Sequence, residues 1–186
     1  MTELINNLIN HHFCIRGKTK EEILECLNIE FQEQIIFDAD FDWEFLSAEN
    51  VENKKRFILF DSINDWAYLR WNIWDFEVTK KLVSKISKEL NTEVNYFFID
   101  PWIFTLRWII AKNGKVTRIY YEYQDVIIEQ SGELELEKEI RKKIKKRDGE
   151  NEFWEDKYWD LYEKMNPPIT ILNEKTEVSA VIGELK

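Results

Sequence analysis

Glu93-Val-Asn-Tyr-Phe-Phe-Ile-Asp-Pro101 opens the stretch that decides the fold; Trp102 to Lys112, Asn113-Gly114, Lys115 to Tyr123 and Val126 to Glu129 complete it. Asn-Gly between two apolar runs is the strongest short-range hairpin signal, because a type I′ turn needs positive φ at both central residues. An uninterrupted ladder from that turn sets Arg107 opposite Tyr120 and Arg118 opposite Ile109. Trp102, Phe104, Leu106, Trp108 and Ile110 then share a face with Thr117, Ile119, Tyr121 and Tyr123, which reads as a core wall. The opposite face, with Arg107 and Arg118, is expected to be mixed.

Outward from the hairpin, the N-terminal side begins with Leu4, Ile5, Leu8 and Ile9 at helical spacing, so residues 3–12 are expected to be helical. Thr19-Lys-Glu-Glu22 is a capping-box pattern ahead of Ile23, Leu24 and Leu27, predicting a second short helix. Asp38, Asp40, Asp42 and Glu49 imitate a calcium loop, yet Trp43 stands where that loop requires glycine. Phe37 to Phe45 alternates aromatic or small residues with Asp38, Asp40, Asp42 and Glu44, which predicts a strand with an acidic outer face. Arg56 to Phe60 and Trp66 to Trp71 are further strands. Asp75 or Thr79 suits the N-cap of a helix carrying Val78, Leu82, Val83, Ile86 and Leu90, with Asn91 fit for a left-handed end.

Beyond Gly132, Glu133 to Glu139 precede a run of bases ending at Arg147, the charge order that a helix dipole favours. A solvated helix is therefore expected there, with another from Asn151. Val178, Val181, Ile182 and Leu185 also fall at helical spacing. Runs of adjacent strands point to an α+β fold. Its largely antiparallel sheet has about five to seven strands around the Asn-Gly hairpin, with N-terminal, middle and C-terminal helices packed on it. The 186 residues, with no internal repeat or low-complexity linker, read as one domain over 1–186.

Composition narrows the function classes. The chain carries a net charge of −10, and the segment from Lys20 to Asn53 holds eleven acids against one base. Such a surface repels nucleic acid and anionic membrane and attracts basic partners. Two cysteines give no disulfide framework, no apolar run is long enough to span a bilayer, and no signal-peptide pattern opens the sequence. A cytoplasmic protein is expected. His11, His12, Cys14 and Cys26 fit no zinc spacing, and the hardware of nucleophilic or nucleotide chemistry is missing, so no metal or cofactor is expected. Carboxylate pairs are too numerous for any one to be specific, which leaves a small carboxylate-dependent enzyme as an alternative.

The binding reading rests on Trp66, Trp71 and Trp74 beside Asp61, Asp65 and Asp75, because tryptophan is enriched at interface hot spots and acids speed encounter with a basic partner. Trp71 has the opposite strand parity to Trp66 and Trp74, so at least one is expected to be partly exposed. Asp38, Asp40, Asp42 and Glu44 complete the expected partner surface. A second alternative is a DNA mimic, whose acid rows imitate phosphate.

Trp66-Ala-Tyr-Leu69, the helix Leu82 to Leu90, the Asn113-Gly114 hairpin and Gly132-Glu133 leading into a helix together resemble bacterial immunity proteins of polymorphic-toxin systems. That resemblance implies neutralising a cognate toxin by direct binding, without catalysis. It carries over no site residue.

Overall fold

The computed structural model describes residues 12–37, 55–71, 73, 75–100, 105–124, 126–135, 137–139 and 178–185. Nine strands and two helices are defined among them: β1 (His12–Arg16), α1 (Lys20–Cys26), β2 (Ile29–Phe37), β3 (Lys55–Ile63), β4 (Trp66–Trp71), α2 (Phe76–Glu89), β5 (Glu93–Asp100), β6 (Thr105–Lys112), β7 (Lys115–Tyr123), β8 (Val126–Ser131) and β9 (Val178–Leu185). The strands form one sheet in the order β2-β9-β3-β4-β1-β5-β6-β7-β8. Every pairing is antiparallel. The protein is a sheet-rich α+β fold, with more strands than the five to seven expected.

Local chemistry explains the helix ends. Thr19 caps α1 with a complete capping box: Glu22 N–H donates to its Oγ1, and Thr19 N–H donates to the Glu22 carboxylate. The Lys18 ammonium and the Thr19 amide both bond that carboxylate and hold it below the usual range. Asp75 caps α2, accepting from Val78 N–H at 3.0 Å, and Asn91 at its end takes φ 49°.

Two expectations need correcting, and a third lies almost wholly outside the described residues. His12, expected to close a helix, opens β1 instead; residues 3–11 lie outside the described residues. Of the strand expected over 37–45, Phe37 is described, as the last residue of β2, and 38–45 lie outside the described residues. Val178 to Leu185 is a strand rather than a helix. It sits between β2 and β3 with both faces packed, so its apolar residues need not alternate, and their spacing imitates a helix.

The hairpin forms as expected at its turn and not beyond it. Asn113 and Gly114 have φ 50° and 82°. Lys112 pairs with Lys115 and Ala111 with Val116, but Ile110 pairs with Arg118, leaving Thr117 as an extra residue. This bulge moves the β7 register by one, and a one-residue slip exchanges the faces. Arg107 therefore opposes Tyr121, and Arg118 opposes Ile110.

Both faces of the sheet are consequently buried. Under α1 and α2 lie Phe13, Phe57, Leu69, Trp71, Tyr96, Phe98, Ile109 and Ala111. Arg107, expected on a mixed face, sits on that side with its guanidinium 4.5 Å from the Tyr121 ring centroid and 5.2 Å from that of Phe98. The other face buries His12, Tyr68, Phe97, Trp108, Arg118 and Tyr120. There Arg118 Nε and Nη2 donate to Glu137 at 2.7 and 2.6 Å, and Trp108 Nε1 donates to the same carboxylate at 3.1 Å. Arg118 Nη1 donates to the carbonyls of Ile119, Ser131 and Gly132. Glu137, expected on a solvated helix, is thus the buried anchor that ties the chain after β8 to the sheet. Glu133, Glu135 and Glu139 do stay at or near the surface.

Candidate functional site

The end of the sheet where β3 turns into β4 collects the expected site residues that the structure brings together. Asn64 and Asp65 form the two-residue connection, with φ 49° and 70°. Neither is glycine; Asn and Asp tolerate left-handed backbone better than other side chains, at a small cost that glycine would not bear. Ile63 pairs with Trp66 across the turn; Phe60 pairs with Tyr68, so Asp61 and Ser62 together oppose Ala67 in a bulge. A bulge re-aims the side chains it carries. Asp61 therefore comes out beside α1, and Asp65 stands at the tip.

Cations flank both acids. Lys20 Nζ donates to Asp61 at 2.5 Å and to Gln34 Oε1 at 3.3 Å. Arg16 Nε lies 3.5 Å from the Asp65 carboxylate, and Gly17 N–H donates to the Asp65 carbonyl at 2.6 Å. Arg16 is the cross-strand partner of Trp66, and its guanidinium stands 5.7 Å from the indole centroid. Trp66 is half-buried. Ser62 Oγ donates to the Lys18 carbonyl, joining the turn to the chain entering α1. Between them lies an open groove of about 550 Å³ lined by Gly17 to Glu21, Asp61, Ser62 and Asp65.

The arrangement is an open surface rather than an enclosed pocket. The carboxylates of Asp61 and Asp65 remain 48% and 64% exposed, enough to meet a second molecule, while their cations hold them in place. A partly exposed indole with a cation over one face adds apolar contact area with a fixed orientation.

Other expected site residues lie elsewhere. Trp71 is a core side chain against Phe13, with ring centroids 6.2 Å apart, and is not available to a partner. Its parity places it on the face that α1 and α2 cover. Asp75 is occupied as the α2 cap. Asp38, Asp40, Asp42, Glu44 and Trp74 lie outside the described residues. Arg16, Lys18 and Lys20 are site residues that reading the sequence missed. Only their grouping around Gly17 marks them, and the contacts of Arg16 with Asp65 and of Lys20 with Asp61 are tertiary.

Of the residues weighed as metal ligands, His11 lies outside the described residues. His12 is stacked against Tyr68 and Phe97, with centroids 4.9 and 6.0 Å away, and Cys14 is fully buried, which raises its thiol pKa. Burial, and then the neighbouring Glu89, push Cys26 up to about 12. Among the described residues no group of three or more His, Cys, Asp or Glu side chains is placed to hold a metal ion. No helix among them is long and apolar enough to cross a membrane. No protein-family model, curated protein or solved structure matches the chain.

Proposed function

We propose that this chain is a non-catalytic protein-binding module, an inhibitor of the immunity type that neutralises a basic partner such as a toxin. The contact surface is the β3–β4 end, with Asp61, Asp65 and Trp66; Asp38, Asp40, Asp42 and Glu44, outside the described residues, are its further acids by sequence alone. The observation that carries this reading is the Asn64-Asp65 turn. Two non-glycine residues occupy left-handed backbone there, and the position that glycine would fill most easily holds an exposed carboxylate beside a half-buried indole. Strained backbone persists where surrounding structure holds it, and it clusters at functional sites. The net charge of −10 favours a basic partner over nucleic acid.

The test is retention of a basic protein from the native organism by wild type and by a triple variant, Asp61→Asn, Asp65→Asn and Trp66→Ala. Wild type is expected to hold a stoichiometric partner that the variant releases. Equal retention by both, with melting temperatures equal, would show that the contact lies elsewhere. Turnover of a small substrate by wild type, abolished by neutralising one carboxylate, would favour the enzyme reading instead.

A further inference from the structure

The two acids of the β3–β4 end keep their cations on different terms. Lys20 is held closely: its side chain is 16% exposed, and Nζ bonds Asp61 at 2.5 Å and Gln34 at 3.3 Å. Arg16 is held loosely. Its side chain is 55% exposed, and Nε stands 3.5 Å from the Asp65 carboxylate, beyond the about 2.7–2.9 Å of a charge-assisted hydrogen bond. Its Nη1 is 4.0 Å from Glu93. Its guanidinium carbon is 5.7 Å from the Trp66 ring centroid, near the limit of about 6 Å for a cation–π contact. Three groups share this one cation, and none of them holds it at short range.

The backbone keeps this corner in shape without the Arg16 side chain. Gly17 N–H donates to the Asp65 carbonyl at 2.6 Å, and Thr92 Oγ1 donates to the Arg16 carbonyl at 2.5 Å. Arg16 and Trp66 are direct cross-strand partners, so their side chains share one face of the sheet. Exposed ion pairs at such distances add little to stability, and moving the guanidinium away from Asp65 is correspondingly easy. Glu93, on the far side of Arg16 and only partly buried, is in place to receive it.

We propose that Arg16 stands in for an arginine of the basic partner: on binding, the partner's guanidinium takes the Asp65 carboxylate and the Trp66 ring, and Arg16 swings out to Glu93. The inference rests on the reading of the β3–β4 end as the partner surface and names the group that this surface takes. Arginine rather than lysine follows from the acceptors. A planar guanidinium stacks on an indole and meets a carboxylate through two parallel N–H bonds, whereas an ammonium is a compact, strongly hydrated point charge. Asp61 is not the receiving acid, because Lys20 already closes on it. Arg16 is thus a competitor that sets the specificity of the site, and a partner cation that cannot improve on its loose contacts is refused.

The test needs no partner. N-acetyl-arginine amide is titrated into the full chain and followed by the indole N–H resonance of Trp66, assigned with Trp66→Phe. Arg16→Ala and Arg16→Gln, with melting temperatures matching wild type, are expected to bind the probe about fivefold or more tightly than wild type, because the competitor is gone. N-acetyl-lysine amide is expected to bind both variants more weakly than the arginine probe, and Asp65→Asn added to Arg16→Ala is expected to abolish binding. Equal probe affinity for wild type and both variants overturns the proposal, as does binding that survives Asp65→Asn. A lysine probe that binds as tightly as the arginine probe overturns the choice of guanidinium. Retention of a partner by wild type, with probe affinity that Arg16 does not alter, overturns this assignment and leaves the partner surface standing. The expected probe binding with no partner retained overturns that surface instead.

Discussion

The β6–β7 and β3–β4 hairpins close with the same backbone and put it to different uses. Each has a two-residue turn with positive φ at both positions and a bulge within a few residues. Asn113-Gly114 is packed against α2: Ser84 Oγ donates to the Gly114 carbonyl at 2.7 Å, and Gly114 N–H donates to Ser87 Oγ at 3.1 Å. A Cβ on Gly114 would stand 2.7 Å from Lys88 Cβ. Asn64-Asp65 is exposed at both positions and bears an aspartate instead of glycine. The first turn serves the fold. The second leaves an aspartate side chain in solvent, and the proposed partner surface rests on that difference.

The anchored hairpin should break hardest at the buried Arg118. Glu137→Ala leaves Arg118 buried and unpaired, and a lone buried charge costs about 3–5 kcal/mol, readable as a lower denaturant midpoint. A loss below about 1 kcal/mol would mean that water reaches Arg118 and that this end is loose. At the turn itself, Gly114→Val combines left-handed strain of about 1–3 kcal/mol with the Lys88 contact, and should destabilise by at least that strain.

Asp65→Gly sharpens the contrast. It relieves strain of roughly 1 kcal/mol and removes an exposed ion pair worth about 0–1 kcal/mol, so stability should hold or rise slightly. Partner binding should weaken. If Asp65→Gly lowered the melting temperature as much as Gly114→Val, the two turns would be equally structural and the comparison would fail.

These expectations also show where the sequence is readable. The Asn113-Gly114 turn, the Thr19 capping box and the Asp75 cap were legible because each is set by a few adjacent residues. The bulge at Thr117 was not, since Val116-Thr117-Arg118 carries no local mark of an inserted residue. That single insertion turned Arg118 inward and exchanged the β7 faces. Strand β9 misled for a related reason: packing on both faces removes alternation, which is the signal that separates strand from helix. At the site, Asp61, Asp65 and Trp66 were legible as a cluster. Trp71 was not separable from them, because parity alone does not say which side the helices cover. Arg16 and Lys20 reach the acids only through the fold.

The smallest effect concerns the groove wall near Asp61. Glu22 in the α1 capping box is held below its unfolded pKa by Lys18 and the Thr19 amide. Its contribution is present above the unfolded carboxylate range and is lost as pH falls through the lowered folded value. Glu22→Gln should therefore flatten the acid limb of a stability–pH curve slightly. An unchanged acid limb would mean that the box is not held in solution.

The most direct test of the central claim is kinetic. Association and dissociation rates of the purified basic partner should be measured at two ionic strengths with wild type, Asp61→Asn/Asp65→Asn, Trp66→Ala and, at the anchored turn, Lys115→Ala. Losing the two carboxylates should slow association and flatten its salt dependence; losing Trp66 should raise the dissociation rate by the equivalent of about 2 kcal/mol. Lys115→Ala should leave both rates unchanged. Unchanged rates for the acid and tryptophan variants, with folding intact, would contradict the assignment of the β3–β4 end as the partner surface.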